Sequence, residues 1–132
     1  MRLYHFTAAH HVEGGRGHSG PGIRAIGIQP NLHPLIALPP MVWLTEDGSW
    51  SQMWSPRKVP GVACDRTEVR LSVLVPKAAR DRLLTYDRIR PFVQPDWRED
   101  FEGGFDLSVW RAYMGRIPWS WVRGMVERQA AA

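Results

Sequence analysis

Between Thr67 and Pro76 the chain reads TEVRLSVLVP, and this stretch constrains the fold more than any other. Val69, Leu71, Val73 and Val75 recur at every second position, set against Glu68, Arg70, Ser72 and Leu74. Successive side chains of a strand point to opposite faces, so the segment predicts a strand with one buried face and one half-polar face. Such a strand cannot stand alone. It needs neighbouring strands and a layer over its apolar side. Two further segments offer themselves. LYHFT (Leu3–Thr7) is rich in β-formers from its first residues, and MVWLT (Met41–Thr45) combines β-branched and aromatic residues before the turn signal EDGS.

Helices are shorter and less regular. A turn over Ala8–Glu13 gives way to a loop rich in Gly, and WSQMW places Trp50, Met53 and Trp54 at helical i, i+3, i+4 spacing before Pro56. PKAARDRLLTY reads as a helix entered through Pro76, with Ala79, Leu83 and Leu84 inward. IRPFVQPDWREDFEGGFD is broken by Pro and Gly and reads mostly as loop. SVWRAYMGRIP predicts a last strand or hairpin arm, and WSWVRGMVERQ a terminal turn or helix. With no repeat and no linker, 132 residues form one domain, 1–132. The expected class is α+β, a small mixed or antiparallel sheet carrying short helices on its faces.

Composition narrows the function classes. The net charge of +4 rests almost wholly on Arg, since Lys occurs only at Lys58 and Lys77. Arg suits phosphate and carboxylate partners, but here it is scattered and forms no nucleic-acid stripe. Cys64 is the only cysteine, so an internal disulfide is excluded. No run approaches the roughly 20 apolar residues of a membrane helix. The opening residues have no apolar leader, which predicts a cytoplasmic protein with no membrane partner. His5, His10, His11, His18 and His33 lack a ligand spacing with Cys or carboxylate, so no metal site is expected. GGRGHSGPG lacks the closing Gly-Lys-Ser/Thr of a phosphate loop, and there is no GxSxG elbow.

The order of three pieces is more informative. A strand with His-x-Thr (LYHFT) precedes IRAIGI and then VWLTED, and the chain closes on YMGRIP and WSWV. This order resembles the ADP-ribosyltransferase superfamily, including thymidine ADP-ribosyltransferase toxins and RNA 2'-phosphotransferases. The resemblance implies a split sheet, NAD as the bound cofactor, and transfer of ADP-ribose to a macromolecular acceptor, protein or nucleic acid. It places His5 and Thr7 on the ribose, and Trp43, Thr45 and Tyr113 about the nicotinamide side. His5 and Thr45 are then expected to face a common cleft, with His5 half exposed.

One feature of the family pattern is missing. The Glu that usually precedes the final turn is replaced by Trp110 and Arg111 in SVWRAYMGRIP. Glu102 or Asp106, carried by the Gly103–Gly104 bend, would substitute for it, or Arg111 would clamp a phosphate as in the phosphotransferase branch. The bland alternative for His5 is a hydrogen bond to a neighbouring backbone carbonyl. The alternative function is a non-enzymatic interaction protein of bacterial or phage type that keeps the fold and blocks a partner, using the Arg and Trp residues that dominate interface hot spots.

Overall fold

The computed structural model describes residues 1–7, 27–30, 32–50, 69–104 and 106–127. In chain order its elements are β1 (Arg2–Thr7), β2 (Gly27–Ile28), β3 (Val42–Thr45), β4 (Val69–Leu74), β5 (Leu83–Thr85), α1 (Tyr86–Ile89), α2 (Pro95–Gly104), β6 (Trp110–Tyr113), β7 (Ile117–Pro118) and β8 (Val122–Glu127). Short 3-10 turns occupy Lys77–Arg82, Arg90–Phe92, Leu107–Val109 and Trp119–Trp121. Six strands form one sheet in the order β5-β6-β3-β1-β4-β8, and β2 pairs with β7 in a small second sheet. Every strand pair described is antiparallel. The arrangement is α+β.

Register assigns each side chain to a face, because residues directly opposite one another in a ladder share a side. Leu3 pairs with Val73, His5 with Leu71 and Thr7 with Val69. This side, the front, holds a core of Leu3, Val42, Leu44, Val69, Leu71, Val73 and Tyr113, closed over by Ile28, Ile117, Trp119 and Trp121. The rear carries a second core, in which Met41, Trp43, Leu84 and Ala112 meet α1 and α2 through Tyr86, Ile89, Trp97 and Phe101. The small sheet reaches the front by a close approach at Gly27, where a Cβ would run into the carbonyl oxygen of Ile117.

The six strands are not joined evenly. β1 meets β4 along Arg2 to Thr7, six residues in register, and β3 meets β6 along its whole length, yet β1 and β3 pair at a single position, Tyr4 with Thr45. At this boundary the one continuous sheet has two halves, β5-β6-β3 and β1-β4-β8, which lie side by side but share a single ladder pair.

Three elements differ from the sequence expectation. PKAARDRLLTY is a 3-10 turn followed by strand β5, because Leu83 joins the front core while Leu84 joins the rear. Adjacent residues reach opposite layers only from a strand. The expected loop contains α2, since Pro95 stands at its first position and Gly103 and Gly104 at its end, where both residues suit a helix. The terminal segment is the strand β8, paired along β4, so tertiary pairing overrides a weak local preference. The turn read at Ala8–Glu13, the segment 51–68 with most of WSQMW, and Cys64 lie outside the described residues.

Candidate functional site

β1 begins the site, and its alternation sends Leu3, His5 and Thr7 to the front and Tyr4 and Phe6 to the rear. Tyr4 lies opposite Thr45, so Thr45 belongs to the rear, with Trp43 two residues before it. His5 and Thr45 thus project from opposite faces, and the common cleft expected for them is not formed. The reason is parity: between a histidine at an odd position and a threonine opposite Tyr4, the ladder leaves one residue of offset.

Thr45 and Trp43 have structural work on the rear. The Thr45 hydroxyl accepts from the backbone N–H of Asp47 (3.1 Å), and Asp47 in turn accepts from the N–H of Ser49 (2.8 Å), which turns the chain at the end of β3. Arg70 secures that turn by donating to the Gly48 carbonyl (2.6 Å) while lying over the rings of Tyr4 and Trp50. Trp43 packs in the rear core with Ala112 and Met41.

On the front, His5 is buried at 8% exposure rather than half exposed, and Thr7 is buried at 5%. The Nδ1–H of His5 donates to the Trp43 carbonyl at 2.8 Å. A carbonyl only accepts, so Nδ1 carries the proton. This bond spans β1 and β3 beside the single ladder pair. The imidazole thus ties β1 to β3 where the ladder pairing stops.

β6 supplies the rest of the front. Leu44 pairs with Arg111 and Val42 with Tyr113, so Arg111 and Tyr113 share the face of His5 and Thr7. Extending the β1–β3 register by one step brings His5 level with Leu44, and hence into the row that ends at Arg111. Adjacent strands lie about 4.8 Å apart, which separates the His5 and Arg111 backbones by about 10 Å. Tyr113 stands edge-on to Trp121 (centroids 5.5 Å apart), and Arg82 lies over its ring. Arg111 donates to the Ser108 and Trp110 carbonyls, each at 2.8 Å, and pairs with Glu46 at 3.1 Å.

The two carboxylates expected to replace the missing acid are engaged elsewhere. Glu102, on α2, pairs with Arg90 and accepts from the Tyr86 hydroxyl (3.2 Å), in the layer that covers the rear. The Arg90 guanidinium holds its carboxyl below the usual range, and the Tyr86 hydroxyl adds to this. Burial, then Glu102, pushes the Tyr86 hydroxyl up. Asp106 caps the Leu107–Val109 turn, accepting from the Ser108 hydroxyl and N–H, which lower its pKa. Gly103 and Gly104 end the helix instead of forming a bend towards His5.

Glu46 is the carboxylate that sequence reasoning missed. It follows β3 directly, its N–H bonds the Val109 carbonyl (2.8 Å), and its side chain meets Arg111. The signal was present in VWLTED: continued alternation puts Glu46 on the face of Val42 and Leu44. Among the described residues no group of three or more His, Cys, Asp or Glu is placed to hold a metal ion, and no helix is long and apolar enough to cross a membrane. Compared with known proteins, the chain matches no family model, no curated protein and no solved structure.

Proposed function

We propose that the chain is an NAD-binding protein of ADP-ribosyltransferase-like design, which transfers ADP-ribose to a macromolecular acceptor. The observation that carries this reading is the thin ladder beside His5, where β1 and β3 keep a single pair. A split sheet is what the sequence resemblance implies. His5, Thr7, Arg111 and Tyr113 also share the front face, the last two one strand beyond β3.

The donor chemistry of these four fits a dinucleotide. Imidazole and hydroxyl groups suit ribose hydroxyls, a guanidinium suits a phosphate, and a tyrosine ring suits a flat heterocycle. NAD supplies a ribosyl–nicotinamide bond whose cleavage releases nicotinamide and leaves the ribose carbon for an acceptor nucleophile. In this reading His5 and Thr7 orient the ribose, Arg111 meets a phosphate, and Tyr113 walls the site. Trp43 and Thr45 drop out of it. Glu46 takes the place expected for Glu102 or Asp106, since a carboxylate on this face stabilises positive charge as it develops.

Calorimetric titration with NAD tests the proposal. Saturable binding that weakens in Arg111→Ala supports it, and Glu46→Gln then abolishes NAD cleavage while nearly preserving affinity. Absence of binding by the unaltered protein overturns it. The second reading, a non-enzymatic interaction protein, is favoured by the engagement of Glu102 and Asp106 in structural contacts. Binding of NAD without turnover for any acceptor, in the unaltered protein, decides for that reading.

A further inference from the structure

We propose that β8 pairs with β8 of a second copy of this chain, antiparallel and centred on Met125, so that two sheets join edge to edge. β8 is the outer strand beyond β4, and among the described residues its other backbone edge has no strand partner. Free edges of this kind are templates for pairing and are usually blunted by Lys, Pro or inward charges. VRGMVE has no Lys or Pro, and Met125 and Val126 are each 45% exposed.

The register with β4 limits the usable stretch. Gly124 to Glu127 run in step with Ser72 to Val69, and the bulge falls at the other end, between Ser72 and Val73, where Arg123 is passed over. Regular pairing therefore covers four residues, Gly124 to Glu127, with Arg123 at the bulge that ends it.

Taken with the bulge residue Arg123, that stretch is self-complementary in sequence. A two-fold axis perpendicular to the sheet keeps front on front, so partners must share parity and only even registers are allowed. Centring on Met125 sets Arg123 of each copy against Glu127 of the other, Gly124 against Val126, and Met125 against its own copy. Opposite charges directly across an antiparallel pair attract, and the small Gly124 leaves room for Val126. Centring on Gly124 or on Val126 removes both Arg–Glu pairs. Centring on Arg123 or Glu127 sets like charges together. One register satisfies the charges, and it calls for a second copy of this chain as the partner.

Sedimentation equilibrium over a range up to about 1 mM chain reads the association, since a small interface of this kind is weak. The unaltered protein is expected to dimerise. Arg123→Glu sets two carboxylates across each charged pair, and Glu127→Arg sets two guanidinium groups there. Each variant alone therefore associates at least about ten-fold more weakly. An equimolar mixture of the two variants regains the dimer, because both cross-strand pairs are then complementary. This mixture also shows that neither variant fails merely by misfolding. A monomeric unaltered protein at the highest concentration, variants that dimerise unchanged, or a mixture that stays monomeric would each overturn the proposal.

Discussion

Replacing His5 by Ala tests whether the imidazole holds the two half-sheets together. The side chain is 8% exposed, and its Nδ1–H gives the Trp43 carbonyl a partner at 2.8 Å. Truncation leaves that carbonyl without this donor, which costs about 1–3 kcal/mol when water does not reach it. The space left by the ring adds about 1 kcal/mol. The sum, about 2–4 kcal/mol, corresponds for a chain of this length to a fall in Tm of roughly 10 °C. His5→Asn keeps a donor near the place of Nδ1 and is expected to recover part of the loss. Thermal melts of the three proteins by circular dichroism make the comparison. A His5→Ala melt within about 2 °C of the unaltered protein, or an Asn variant no better than Ala, would refute the bridging role. NAD titration of the same variants, at a temperature where all are folded, separates loss of ligand contact from loss of fold.

Further expectations concern the helices, the small sheet and a half-buried base. Glu102→Gln and Asp106→Asn leave NAD binding and any turnover unchanged, as seen by titration and nicotinamide release, because both carboxylates serve the helical layer and a turn cap. Loss of turnover in either variant would return that residue to the site. Gly27→Ala destabilises by about 1–3 kcal/mol in a denaturant melt, since its Cβ meets the Ile117 carbonyl and forces β2 from β7. Burial lowers the pKa of His33 from 6.5, and its Nδ1 accepts from the Leu35 N–H at 3.1 Å. The unfolded chain then binds the proton more readily, so this contribution is full above pH 6.5 and is lost as the pH falls through the lowered value. His33→Gln flattens the acid side of a stability–pH profile, and an unchanged slope would remove His33 as its cause.

Three of the central strands are legible because alternation is a local signal, whereas β5 and β8 are not. Leu3–Thr7, Met41–Thr45 and Thr67–Val75 are read from sequence, and Arg2–Thr7, Val42–Thr45 and Val69–Leu74 are observed. Which strand lies beside which, and in what register, depends on contacts far apart in the chain. That is where the expected cleft failed: alternation gives each strand two faces, but only the Tyr4–Thr45 pair decides that His5 and Thr45 take different ones. α2 was hidden by reading Pro95 and the Gly103–Gly104 pair as breakers when they mark its ends. The burial of His5 was illegible because a lone strand carries no information about the layer placed over it. His5, Thr7, Arg111 and Tyr113 are candidates through the sequence resemblance, and only the ladder sets them on one face.

The two cores also differ in how much of the sheet they engage. The front core draws on β1, β3, β4 and β6, and so on both halves, whereas the rear core under α1 and α2 rests on β3, β5 and β6 only. The helical layer can then detach as a cooperative unit while the front core stays closed. Native-state hydrogen exchange is expected to show two classes of amide. Those of Tyr86–Gly104 exchange through a low-energy partial opening, and those of β1 and β4 only through global unfolding, so the protein sheds its rear cover before it loses its sheet.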